Sequence, residues 1–204
     1  MKLYGYVQAG GGSTRFGRDK ALAEFAGTTM LSRTTKIVAS VCDDVKVVAS
    51  TTRYSESPVA LIEDRWPGQG PLGGILTALL ETRNVSAEPL WSLIVSCDMP
   101  FLSAAWLEIM KEKAFQSSAL VVVPESDNGL EPLCACWRSD AAPTIQEAFD
   151  SGVRKVTEAM KRLPMEVLDE PVWKRFDSGK RLFWNMNTPQ DYEEARRLLE
   201  EHSL

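Results

Sequence analysis

Residues 7–21, VQAGGGSTRFGRDKA, follow a short apolar run with three adjacent glycines and then Arg15, Arg18 and Lys20 against the single Asp19. Gly10, Gly11 and Gly12 free the backbone to turn its N–H groups toward an anion. Arg15 offers a planar fork to two phosphate oxygens, Lys20 a compact point charge, and Ser13 a further hydrogen bond. Two familiar phosphate loops do not fit. GxGxxG started at Gly10 and Gly12 meets Arg15 at its third glycine, and GxxxxGK[ST] started at Gly12 reads Arg18-Asp19 after Gly17. A plain strand-to-helix turn needs one glycine, and each extra one costs up to about 1 kcal/mol relative to alanine in regular structure. Three in a row therefore point to close backbone approach by an anionic ligand.

Three further stretches bear chemistry. In EDRWPGQGPLGGILTAL, residues 63–79, the small residues around Gly70, Gly73 and Gly74 would let a helix N-terminus approach a ligand, or merely pack against a sheet. In LIVSCDMPFLS, residues 93–103, Asp98 directly follows an apolar strand, so its carboxylate falls at the strand's carboxyl end. That placement suits Mg²⁺, which takes one or two carboxylates plus phosphate oxygens and water; Ser103 already serves as the cap of the following helix. In FWNMNTPQDYEEA, residues 183–195, Asn185 and Asn187 flank Met186, so in an extended segment both amides face one side. Asn187 and Thr188 would equally serve as caps for a helix with Pro189 at its first position.

Parallel strands and covering helices would position these groups. Apolar, β-branched runs at 3–8, 45–49, 59–62, 91–96 and 119–123 alternate with helical spacing at 30–41, 72–82 and 103–115. Beyond Val123 the pattern loosens into edge or antiparallel strands at 131–137 and 165–168 and helices at 141–150, 153–162 and 190–201. The expectation is an α/β fold: a single Rossmann-like domain over 1–204, with a mostly parallel central sheet and helices on both faces. Such sheets bind ligands beyond the carboxyl ends of their strands, which points to the loops starting at residues 8, 50, 63 and 97.

Bulk properties exclude several classes. A formal net charge of −5 argues against non-specific nucleic-acid binding. No apolar run approaches the roughly 18 residues of a membrane helix, and Met1–Val7 does not read as a signal peptide. A cytoplasmic protein with no membrane or nucleic-acid partner is expected. Cys42, Cys97, Cys134 and Cys136 lack histidine partners, since the lone His202 lies in the C-terminal tail, and read as reduced packing groups.

AGGGSTRFGRDKA resembles the (L/V)xAGGxSxRMGxDKAL signature of nucleotidyltransferases that modify molybdopterin, with Phe16 in place of methionine; GxDK is characteristic of molybdenum cofactor guanylyltransferases. The later stretches resemble that family's EDxxxxxGPLxGxxxAL, CDMPF and NxNTPxD, and SGVRKVTEAMKRL (151–163) is similar to its GxRxVxxxL segment. GLEPLCACW (129–137) resembles a PLxAxY-like strand.

The resemblance implies transfer of GMP from Mg-GTP to molybdopterin phosphate. A nucleotide half would span about 1–100 and an acceptor half about 101–204. It implies catalytic roles for Arg15, Lys20 and Asp98, with Asp98 the metal ligand. It implies nucleotide contacts at Gln8, Ala9, Gly10, Gly11, Gly12, Ser13, Lys20, Ser50, Asp64 and Asp98. Asp64 would take the adjacent N–H donors of guanine, which a carboxylate can accept together. The acceptor would meet Arg154, Asn185 and Asn187, although an exposed helix-start arginine explains Arg154 equally well. Cofactor-delivery or acceptor proteins fit as partners. The broader family adds alternatives: cytidylyl transfer to molybdopterin or nucleotidyl transfer to a sugar phosphate. A non-catalytic nucleotide-binding adaptor is a further alternative. The sequence departs from the family at Gln8, where leucine is usual, and at Ser50, where asparagine often stands.

Overall fold

The computed structural model describes residues 1–10, 19–50, 52, 54, 57–177, 179 and 181–202. Gly11, Gly12, Ser13 and Arg15 of the glycine-rich loop lie outside the described residues. In chain order the elements begin with β1 (Leu3–Gln8), a small hairpin β2 (Glu24–Phe25) and β3 (Thr28–Thr29), and α1 (Met30–Ala39). β4 (Asp44–Ala49), β5 (Ala60–Glu63), α2 (Pro71–Arg83), β6 (Trp91–Ser96) and α3 (Ala104–Gln116) follow. β7 (Val121–Ser126), β8 (Gly129–Leu130), β9 (Cys134–Arg138), α4 (Ala142–Asp150) and α5 (Val156–Met160) come next, then β10 (Met165–Leu168), α6 (Glu170–Trp173) and α7 (Pro189–His202).

The main sheet runs β10-β7-β9-β6-β1-β4-β5, with β8 attached to β7. β5, β4, β1 and β6 are parallel, and so are β7 and β10, whereas β9 is antiparallel to both of its neighbours. The expected α/β fold is present. The 131–137 segment is antiparallel as expected but lies in the middle of the sheet, and 165–168 is the edge strand, running parallel to β7. Strand order reverses between β1 and β6, which is where sheets of this kind form a ligand crevice.

Side-chain alternation divides the core into two faces. Val7, Val47, Leu93 and Val95 pack with Leu31, Val38, Trp106 and Leu107 of α1 and α3. Tyr4, Tyr6, Ile94 and Val123 pack with Leu72, Ile75, Leu76 and Ile145 of α2 and α4. Gly5 sets the spacing on the first face, because a Cβ there would come 2.4 Å from Val38 Cγ1. A third cluster joins Ala23, Phe25 and Met30 to Met186, Tyr192 and Ala195, bringing the C-terminal segment back beside Lys20.

The helix expected over 153–162 is shorter, because α4 ends in a left-handed turn. Gly152 (φ 93°) donates to the Phe149 carbonyl and Val153 N to that of Ala148, the bond pair of a Schellman motif. Val153–Lys155 then carry the chain out of that turn before α5 starts. Two small elements, the β2–β3 hairpin and α6, had no expectation. The hairpin turns through Ala26 and Gly27, both at positive φ, which matches the twist of paired strands.

Candidate active site

Asp98 stands two residues beyond β6, at the mouth of the crevice. Its Oδ1 accepts a 2.6 Å bond from Ser96 Oγ, which alternation puts on the same side. Its backbone carbonyl accepts from Met186 N at 3.0 Å, so the C-terminal segment is fixed to this point. Ser103, not Asp98, caps α3, accepting from Trp106 N. Neighbouring Cys97 is buried, which pushes its thiol far up, and the Asp98 charge adds to the effect; it is a packing group, not a nucleophile.

Lys20 reaches across to the same point. Its Nζ lies 3.5 Å from Asp98 Oδ2 and donates to Asn187 Oδ1 at 2.8 Å, with the Lys20 and Asp98 side chains 16% and 18% exposed. The backbone around it is clamped: Asp19 Oδ1 accepts from Ala21 N at 3.0 Å, and Tyr54 OH donates to Asp19 Oδ2 at 2.8 Å. Ala21 in turn accepts from Leu31 N, so α1 supports the lysine segment. Asn187 is free to hold Lys20 because its neighbours do the capping. Asp191 Oδ2 accepts from the backbone N–H of Asn187 and Thr188, and Thr188 Oγ1 accepts from Asp191 N, a reciprocal cap for α7.

Two cavities meet at Asp98. The larger, about 570 Å³, lies over the ends of β1, β4 and β5 and includes Gln8, Ala9, Gly10, Ser50, Tyr54 and Asp64. The N-terminus of α2 forms another wall through Gly70, Pro71 and Gly74. Gly70 adopts φ 83°, and Pro71 starts the helix. Gly74 leaves room for Gln8: a Cβ there would sit 2.8 Å from the Gln8 amide carbon. The Gln8 amide instead lies along the helix start and donates to the Pro71 carbonyl at 3.3 Å. Asp64 Oδ1 accepts from Trp66 N and Thr77 Oγ1, and among the described residues its other oxygen has no partner. Ser50 Oγ lies 3.0 Å from Thr52 Oγ1.

The smaller cavity, about 280 Å³, lies on the other side of Asp98 and includes Asn185, Asn187, Glu131 and Leu133. Ser96, Asp98 and Leu133 border both cavities. Glu131 comes here because β9 is reversed: it begins where the parallel strands end, and Leu133 O accepts from Ser96 N. Arg154 borders neither cavity. Its guanidinium donates to Gln69 Oε1, Phe149 O and Val153 O and lies 3.9 Å from the Phe149 ring centroid, bracing the loop before α2.

The structure thus brings Lys20, Asp98, Asn185 and Asn187 to one point and Gln8, Ala9, Gly10, Ser50 and Asp64 to one wall, while Arg154 stands apart. Sequence reasoning did not find Ser96, Tyr54 or Glu131. Strand alternation before Asp98 would have found Ser96. Tyr54 has no local signal, and Glu131 needs the direction of β9.

Among the described residues no three metal-ligating side chains cluster together. Asp98, oriented by Ser96 at the border of the two cavities, fits an ion that draws its remaining oxygens from substrate and water. Among the described residues no helix is long and apolar enough to cross a membrane.

Known proteins share the sequence family and the fold. The family profile described as MobA-like NTP transferase domain matches residues 5–164. A molybdenum cofactor guanylyltransferase of Desulfosudis oleivorans is 33% identical over 94% of this chain and 93% of its own. A probable molybdenum cofactor guanylyltransferase of Chloroflexus aggregans is 30% identical over 94% of this chain and 92% of its own. The crystal structure of molybdopterin-guanine dinucleotide biosynthesis protein A from Archaeoglobus fulgidus shares the fold with a TM-score of 0.83, at 23% identity, over 97% of this chain and 99% of that one. This chain, with Lys20 beside Asp98 at the strand-order reversal and a glycine-rich stretch after β1, belongs to the MobA-like NTP transferase family.

Proposed function

We propose that this enzyme transfers GMP from Mg-GTP to the phosphate of molybdopterin, forming the guanine dinucleotide cofactor and pyrophosphate. The observation that carries the reading is the pair of cavities meeting at Asp98, with the Lys20 amine 3.5 Å from its carboxylate. A nucleotide in the larger cavity and a phosphorylated acceptor in the smaller one would meet there.

The acceptor phosphate oxygen attacks the α-phosphorus of GTP in line, and the bond to the bridging oxygen breaks to release pyrophosphate. A phosphate nucleophile is already ionised at neutral pH, so no histidine or cysteine is required to activate it. Catalysis is then positioning and charge neutralisation. Lys20 neutralises charge growing at the α–β bridge, a role open to it because its amine stands at the junction. Gly10, Gly11, Gly12, Ser13 and Arg15 hold the β- and γ-phosphates, and Asp64 reads the donor edge of guanine with its unpartnered oxygen. Asp98 would hold the divalent ion, Mg²⁺, which when bound supplies further charge neutralisation to the phosphates. Asn185 and Asn187 receive the acceptor phosphate.

Thermal stabilisation by GTP, CTP and UTP, each with Mg²⁺, tests the base. A ligand at 100 times its Kd stabilises the folded state by about 2.7 kcal/mol. GTP should give the largest shift, and pyrophosphate release should require both GTP and molybdopterin. A larger shift with CTP would reassign the donor, and binding without pyrophosphate release would point to an adaptor.

A further inference from the structure

The wall of the smaller cavity opposite the asparagines carries a carboxylate, Glu131, that the phosphate chemistry does not use. Its backbone is fixed at both ends, Glu131 N donating to Pro124 O at 2.9 Å and Cys134 N to Glu131 O at 3.0 Å. Ser126 Oγ, at the end of β7, donates to Oε1 at 2.6 Å. Among the described residues no cation pairs with it and Oε2 accepts no bond. Burial pushes its carboxyl up from the ordinary range, with the Ser126 bond opposing.

A half-buried anion in a cavity that must receive a phosphate is unfavourable unless the incoming molecule brings it hydrogen-bond donors. Tying down the turn would need only a neutral acceptor for Ser126. A carboxylate has lone pairs for about four bonds, and Ser126 takes one. A pterin offers the matching groups: a ring N–H beside an exocyclic amino group, the donor pair that guanine also carries. Resting on the guanylyl-transfer reading, we infer that Glu131 is a specificity-determining residue for the acceptor, its carboxylate accepting N–H groups of the pterin ring while Asp98 and the asparagines take the phosphate end. The two ends of the product are then each read by a carboxylate, Asp64 in one cavity and Glu131 in the other.

Glu131→Gln separates recognition from support, because its amide oxygen still accepts from Ser126 while its NH₂ faces the pterin donors. The KM for molybdopterin should rise about tenfold or more, the loss expected of hydrogen bonds to a charged group. GTP affinity, measured by calorimetry without acceptor, and kcat at saturating acceptor should stay within about twofold. Glu131→Ala should raise the acceptor KM as well, with a lower Tm because the Ser126 tie is lost. An unchanged acceptor KM in the glutamine variant, or an equal loss of GTP affinity, overturns the assignment. Wild-type protein that binds no GTP would instead overturn the function on which it rests, and the inference with it.

Discussion

The two cavities on either side of Asp98 are built by different means. The larger is made of strand ends and glycines: Ala9 and Gly10 after β1, Ser50 after β4, Asp64 after β5, and the small residues opening α2. Its side chains come from segments that lie close to the strands they follow. The smaller is made of side chains delivered over long distances, Glu131 by the reversed strand β9 and Asn185 and Asn187 by the segment returning from the C-terminal half. A nucleotide site can be set by strand direction and glycine placement, whereas an acceptor site beside it requires chain that crosses the sheet. Lys20 stands beside their shared border, its amine 3.5 Å from Asp98 Oδ2 and bonded to Asn187 Oδ1.

The largest expected effect falls at that junction. Lys20→Ala should lower kcat about 10³-fold, comparable with deleting a preorganised charge-stabilising donor elsewhere. The side chain is partly exposed and packs no core, so circular dichroism and Tm should be nearly unchanged. Loss of GTP binding with little further loss in turnover would assign Lys20 to the larger cavity alone.

A change confined to the nucleotide cavity should be smaller and of a different kind. Asp64→Asn keeps the oxygen that Trp66 N and Thr77 Oγ1 use but replaces the open one with a donor group. GTP affinity should fall about tenfold or more, with the acceptor KM unchanged. The same variant should narrow the preference for GTP over inosine triphosphate, which lacks the exocyclic amine. A preserved preference would mean that the base is read elsewhere on this wall.

The contrast also explains what the sequence made legible. β1, β4 and β6 are largely buried apolar runs beside the partly exposed edge strand β5, and Asp98, Asp64 and Gly10 sit within two residues of a strand terminus. Local pattern was enough for these. The segment over 131–137 carries the same apolar signal whether it lies at an edge or in the centre, because the signal reports burial and not neighbours. Glu131 could therefore not be placed without the reversed pairing of β9 to β6. Arg154 is the opposite case. A matching motif drew it toward the acceptor, but the Gly152 turn directs its guanidinium to Gln69 and the Phe149 ring.

The finest test of the comparison is Tyr54, which stands on the wall of the larger cavity yet bonds to the segment that carries Lys20. Its hydroxyl donates to Asp19 Oδ2, while Asp19 Oδ1 holds Ala21 N, so the two residues flanking Lys20 are fixed from the nucleotide side. The ring is only 2% exposed and packs in the core, and phenylalanine would keep that packing. Tyr54→Phe should remove about 1 kcal/mol of support for Asp19, read as a roughly fivefold drop in kcat. GTP affinity should change less than kcat, because the cavity wall keeps its shape. If affinity falls as far as kcat, Tyr54 acts as part of the nucleotide wall. If only kcat falls, the wall of one cavity is positioning the lysine that serves both, and the division between the two sites ends at Asp19.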